Sequence, residues 1–237
     1  MIAAVLFDLD GTLADTALDL GWALNALLRE EGRSPQPFAA IRPVASHGAR
    51  GLVRLGFGMD TDHPEFERLR LRFLDLYEQH FAVDTVLFDG VNPMLDALVA
   101  EGLDWGIVTN KPRRFTDRLV PQLGFRQPPG VVVSGDTTHA AKPDAAPMLH
   151  ACEQLAVNPV NCIYVGDAER DIVAGRVVGR QVRGAWIARL DREQRRGQDG
   201  QQDQGRGRLN QGGYVQPLQD RAAEYGAEAH YQTYDGC

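Results

Sequence analysis

The stretch Ala3-Ala4-Val5-Leu6-Phe7-Asp8-Leu9-Asp10-Gly11-Thr12 decides how this chain is read. An apolar, strand-like run ends in two carboxylates one residue apart, followed by Gly-Thr. Successive side chains of an extended backbone alternate faces, so Asp8 and Asp10 point the same way. Two acids held together repel, and a purely structural strand gains nothing from them. At a strand end they build a site for a hard cation and a reacting pair at once.

Three further apolar runs, at residues 105–110, 131–135 and 162–167, also end in polar groups. Helical patterns lie between them, at residues 93–101, 114–123 and 145–155. Strands alternating with helices imply parallel βαβ units. Continuous apolar runs are what strands covered on both faces require. The fold class is therefore α/β, a doubly wound parallel sheet. A long gap separates the first two strands and carries helical patterns at residues 17–29, 47–55 and 65–81. In the last of these Phe66, Leu69, Phe73, Leu76 and Tyr77 recur at helical spacing. We read it as an α-helical module inserted into the sheet domain. Trp105 and Phe88 read as core.

Composition narrows the function classes. The chain has 237 residues, 43% apolar, and a formal net charge of −7 with no basic stripe. That excludes nucleic acid as the main partner and leaves small anions to a local site. No apolar run approaches the roughly 20 residues needed to span a bilayer. Cys152, Cys162 and Cys237 form no metal-binding spacing. Their odd number, with no secretory leader, predicts a reduced, cytoplasmic setting. Only two of the 25 basic residues are lysines, Lys111 and Lys142. From residue 176 onward the chain carries ten Arg, ten Gln and ten Gly. Such a segment buries too little apolar surface to offset ordering entropy, which predicts a disordered tail.

Sites in doubly wound sheets form just outside the carboxyl ends of the strands. Asp8 with Asp10, Thr109 with Asn110, the Lys142-Pro143 pair, and Asp167 with Asp171 are thus expected to converge. The set DLDGT, IVTNK, AKPD and GDAERD resembles the haloacid dehalogenase-like superfamily over roughly residues 1–175. It is most similar to the phosphoglycolate phosphatase branch with a helical cap. On that resemblance residues 1–15 and 83–190 form the α/β core, 16–82 the cap and 191–237 an atypical tail.

The resemblance implies roles residue by residue. Asp8 is the nucleophile, forming an aspartyl-phosphate. Asp10 is the acid that protonates the leaving alkoxide and then the base that activates water. Mg²⁺ is the implied cofactor, held by Asp8, the backbone carbonyl of Asp10, and Asp167. Thr109 and Lys142 bind the phosphoryl oxygens. Asp171 reads either as a metal-site acid behind these ligands or as a first-turn charge favouring a helix dipole. Asn110 orients phosphate or Asp8, or forms a turn. Asp15 reads as a helix N-cap, and Lys111 as a solvent-facing residue beside the site. In the inserted module, His47 and Arg50 open a helix on a small-residue turn and are candidate substrate contacts; the alternative is a capped helix with a solvated arginine. The implied activity is Mg²⁺-dependent hydrolysis of a small phosphomonoester. The first candidate is 2-phosphoglycolate; N-acetylmuramic acid 6-phosphate or another sugar phosphate is the alternative. A non-catalytic phosphometabolite-binding protein is the reading from another class. The expected partner is a small phosphorylated metabolite, with neither nucleic acid nor membrane, and the chain is expected as a monomer or homodimer.

Overall fold

A computed structural model describes residues 1–178 of the chain. The expected tail lies outside the described residues. Four strands form one parallel sheet: β1 (Ala4–Phe7), β4 (Asp104–Val108), β5 (Val131–Val133) and β6 (Cys162–Val165), in the order β5-β4-β1-β6. The register places Phe7 beside both Ile107 and Val165, so the carboxyl ends of β1, β4 and β6 lie level.

Alternation along β1 explains why its run is apolar throughout. Val5 and Phe7 pack on one face with Trp105, Ile107, Val91, Leu95 and Leu119. Leu6 packs on the other with Val108, Val133, Met148, Ala151 and Ala174. The first face is covered by α5 (Val91–Ala100) and α6 (Arg113–Leu119), the second by α7 (Ala146–Gln154) and α8 (Glu169–Val178). Helices on both faces make the sheet doubly wound, as expected. Trp105 is fully buried, whereas Phe88 packs at the edge of its cluster.

The expected helix at 114–123 is α-helical only through Leu119. It tightens into a 3₁₀ turn over Val120–Gln122, where Pro121 has no N–H to continue the α ladder. The sequence reading missed a second, two-stranded antiparallel ribbon. There β2 (Ala14–Asp15) pairs with β3 (Val86–Leu87), each too short to carry a periodicity.

Four helices run between these two strands: α1 (Ala17–Glu30), α2 (Phe38–Ile41), α3 (Gly48–Phe57) and α4 (Phe66–Gln79). They share their own apolar cluster, which includes Leu24, Leu27, Leu28, Leu52, Phe66, Leu69, Phe73 and Tyr77. The apolar positions read from the α4 sequence are the buried ones. The expected helix start at His47 is corrected. His47 ends a 3₁₀ turn over Arg42–His47, and α3 begins at Gly48, where φ is +61°. The chain leaves this helical segment through a buried clasp. Asp19 on α1, fully buried, accepts hydrogen bonds from Asp84 N (2.9 Å), Thr85 N (3.1 Å) and Thr85 Oγ1 (2.6 Å). His80, Nδ1 3.3 Å from Asp19, stacks on Trp22. Asp19, His80 and Asp84 are close enough to suggest a metal group. The oxygens of Asp19 are instead occupied by backbone and hydroxyl donors, a structural role. No helix among the described residues is long and apolar enough to cross a membrane.

Candidate active site

The site is built at the level ends of β1, β4 and β6. Asp8 follows β1, and its amide still pairs with Val165 O at 2.8 Å, which fixes the backbone. Its carboxylate is only 1% exposed as a residue, and Oδ1 accepts from Leu9 N at 2.8 Å. A buried carboxylate needs a cation, and Lys142 provides it with Nζ 3.0 Å from Asp8 Oδ1. The same ammonium lies 2.7 Å from Asp171 Oδ1, 2.8 Å from Val108 O and 2.6 Å from the Tyr164 hydroxyl. The side chain of Lys142 is fully enclosed. Four oxygens surround three N–H donors, so this cation is locked in one place. Burial, with the charges of Asp8 and Asp171, pushes the Tyr164 phenol well above its ordinary range, so it stays a neutral hydroxyl here.

Asn110 corrects its sequence reading. Its side-chain amide donates to Lys142 O (2.8 Å) and accepts from Lys142 N (2.9 Å). One N–H and the carbonyl oxygen of the side chain are engaged with the backbone of Lys142, 32 residues on. Asn110 thus sets the loop from which Lys142 reaches inward. Asp171 shows a third role beside the two expected. Its Oδ2 accepts from Ala168 N (2.9 Å), the residue just before α8, while Oδ1 holds Lys142. One carboxylate satisfies a helix end and orients the buried lysine.

Lys111 corrects a second reading. It is 7% exposed, not solvent-facing, with Nζ 2.8 Å from Asp10 Oδ1 and over the Tyr77 ring at 4.9 Å. Burial opposes its charge, but the Asp10 carboxylate, with Tyr77, outweighs this and holds the ammonium above its ordinary range. One oxygen of Asp10 is thereby held in place by Lys111. Thr109 is buried at the end of β4; its amide is taken by Val133 O (2.9 Å), and its hydroxyl accepts from Lys111 N (3.2 Å). Asp15 caps α1 in part: Oδ1 accepts from Ala17 N at 3.4 Å while Oδ2 pairs with Arg42 at 2.7 Å, and Thr16, at the N-cap position, makes no side-chain cap bond.

Asp167 stands at the mouth, open to solvent on one side. Partial burial pushes its carboxyl above the ordinary range, the neighbouring Asp8 and Asp171 add to the rise, and the Ser46 hydroxyl, donating at 2.5 Å, opposes it. Because one side remains wet, water moderates this shift. Asp8, Asp167 and Asp171 each offer an oxygen within 4.8 Å of one another. Three carboxylates face two cations, Lys142 and Arg170, which leaves an excess of negative charge on hard oxygens. That donor set fits a small divalent cation.

Two contributors escaped the sequence reading. Ser46, in the helical segment, touches Asp167. Arg170, in the first turn of α8, has Nη2 2.6 Å from Ser46 O and 3.5 Å from Asp8 Oδ2. Its place between Asp167 and Asp171 in GDAERD is the only sequence signal that pointed to it. His47 and Arg50 are both exposed, and among the described residues neither forms a hydrogen bond or ion pair with the strand-end residues. The field of Arg50 is felt at Glu67 instead.

Comparison with known proteins agrees with this geometry. The family described as haloacid dehalogenase-like hydrolase matches residues 5–185. N-acetylmuramic acid 6-phosphate phosphatase of Pseudomonas aeruginosa is 43% identical over 178 residues, 75% of this chain and 79% of that protein. Phosphoglycolate phosphatase of Xanthomonas campestris pv. campestris is also 43% identical, over 188 residues, 79% of this chain and 85% of that protein. Among solved structures, a predicted phosphoglycolate phosphatase from Haemophilus somnus 129pt shares the fold. Its TM-score is 0.64 at 24% identity, covering 75% of this chain and 82% of that one.

Proposed function

Because the chain belongs to the haloacid dehalogenase-like hydrolase family, we propose that it hydrolyses a small phosphomonoester by way of an aspartyl-phosphate on Asp8. The observation that carries this reading is the enclosed Lys142 ammonium shared between Asp8 and Asp171. It holds a charged, fixed carboxylate at a strand end, where a nucleophile is needed.

The Asp8 carboxylate attacks phosphorus in line; its new bond to phosphorus forms as the bond to the alcohol oxygen breaks. Asp10 delivers its proton to the departing alkoxide. As a carboxylate, Asp10 then takes a proton from the water that attacks the aspartyl-phosphate, releasing inorganic phosphate and restoring Asp8. The contact of Lys111 Nζ with Asp10 Oδ1 fixes the orientation of this acid/base. Thr109 is the candidate contact for the phosphoryl oxygens, while Lys142, its ammonium held by Asp8, Asp171, Val108 O and the Tyr164 hydroxyl, fixes and neutralises Asp8; Asn110 and Asp171 hold Lys142 in position. Asp8, the carbonyl of Asp10, and Asp167 are the residues that would hold Mg²⁺, with Asp171 behind them. The cation supplies charge neutralisation between phosphate and carboxylate.

Residues 16–82 are the cap in this reading, over a core of 1–15 and 83–190. Contact of Ser46 with Asp167 supports that assignment, and keeps the adjacent His47 and Arg50 as substrate-contact candidates. The substrate proposed first is 2-phosphoglycolate. N-acetylmuramic acid 6-phosphate is the second reading, favoured by the equally similar Pseudomonas relative. Release of inorganic phosphate with Mg²⁺ present, measured as kcat/KM on both compounds, separates the two. Asp8→Asn is expected to lower turnover by about 10⁴-fold or more. Turnover that persists in this variant refutes Asp8 as the nucleophile, whereas binding of either compound by the wild type without phosphate release favours the non-catalytic binding-protein reading.

A further inference from the structure

Arg170 is used by nothing in the mechanism above, yet it is built into the site. Its side chain is 19% exposed and crosses from α8 to the cap. Nη2 donates to Ser46 O at 2.6 Å and lies 3.5 Å from Asp8 Oδ2. Its Nε is buried and has no hydrogen-bond partner among the described residues. A guanidinium carries five N–H donors in a rigid fork. Buried donors in folded proteins are almost always satisfied, and an exception calls for an explanation. Here the missing acceptor is one that arrives with the substrate.

Lys142 cannot fill that part. Its ammonium already faces four oxygens, all of them protein. A phosphoryl group brought to Asp8 presents oxygens beside the one carboxylate oxygen that Arg170 approaches. The planar fork matches phosphate oxygens in pairs, which a point charge does not. The bond to Ser46 O adds a mechanical consequence. The group that would grip the phosphate also holds the cap turn that ends at His47.

We propose that Arg170 is a phosphoryl-binding residue whose second contact, on the Ser46 carbonyl, ties the cap loop down when phosphate is present. The proposal rests on the reading of the site as a phosphoryl-transfer centre. It assigns to one side chain both a charge contact and the coupling of cap position to occupancy.

Binding of inorganic phosphate to the full chain with Mg²⁺, by titration calorimetry, tests it without turnover. Arg170→Met keeps the apolar stem and removes the donors; it is expected to weaken phosphate about 30-fold. Arg170→Lys keeps the charge and loses the fork, and is expected to recover only part of that loss. Hydrogen exchange at residues 42–50 is expected to slow on phosphate addition in the wild type and not in Arg170→Met. If Arg170→Met fails to fold, Arg170→Lys carries the test alone, with an expected weakening of several-fold. Equal phosphate affinity in the folded variants overturns the contact. Full recovery by lysine overturns the fork, and exchange protection retained in the variants overturns the coupling. If the wild type itself neither binds nor releases phosphate, the phosphatase reading fails instead.

Discussion

Gly11→Ala separates a backbone effect from a site effect. Gly11 has φ of +83°, a left-handed conformation that costs an L-residue about 1–2 kcal/mol. A Cβ there would stand 2.5 Å from Ser46 Oγ and closer still to Asp167 Oδ2, against a least real approach of 3.0 Å. Both atoms end flexible side chains, so they can retreat and the fold survives. Retreat of at least about half an ångström, however, moves a proposed metal ligand, and misplacement of that order in a reacting site costs up to about 10²-fold. Expected together are a loss of about 1–2 kcal/mol in stability, Mg²⁺ affinity weaker by about 10–100-fold, and a fall in kcat/KM of about 10²-fold. Gly58→Ala is the matched control: its φ is +66°, and nothing lies within 4 Å of the added Cβ. It should share the stability loss and leave Mg²⁺ affinity untouched. Urea unfolding gives the first quantity, and Mg²⁺ titration calorimetry the second. Equal Mg²⁺ affinity in the two variants refutes the reasoning about Asp167.

Two further outcomes follow from buried contacts. Asp19→Ala strips the acceptor from Asp84 N, Thr85 N and Thr85 Oγ1, and should cost about 2–4 kcal/mol in urea unfolding; a loss under about 1 kcal/mol means the clasp does not hold the return from the helical segment. Tyr164→Phe removes the hydroxyl that meets Lys142 Nζ at 2.6 Å and Val108 O at 2.9 Å. It should lower kcat/KM about tenfold while stability falls by only about 1–2 kcal/mol. Unchanged kinetics would show that Lys142 is held without it.

Much of the site was legible because its chemistry sits at strand ends. Asp8 and Asp10 announce themselves as acids where a structural strand has no use for them. Lys142 stands out in a chain that otherwise carries its positive charge on arginine. Other residues were misread for a common reason: their partners are distant in the chain. A lysine just after a strand reads as solvated, and Lys111 is buried only because α4 brings Tyr77 over it and β1 brings Asp10 beside it. Asn110 reads as a turn residue until the loop carrying Lys142 folds back against its amide. Cys152 and Cys162 form no motif, yet their sulfurs meet at 3.3 Å across α7 and β6.

The sequence by itself determined the alternation of strand and helix, the apolar faces that build the sheet core, and the two acids at the end of β1. Those follow from local periodicity and from residue types whose burial needs a reason. Only the tertiary structure decided who neutralises whom. Asp8 is paired by Lys142 and Asp10 by Lys111, Asp167 accepts from the Ser46 hydroxyl, and Arg170 reaches from α8 to the Ser46 carbonyl. Charge pairing depends on distances of a few ångströms between residues up to 162 positions apart, and periodicity along a chain carries no information about those distances.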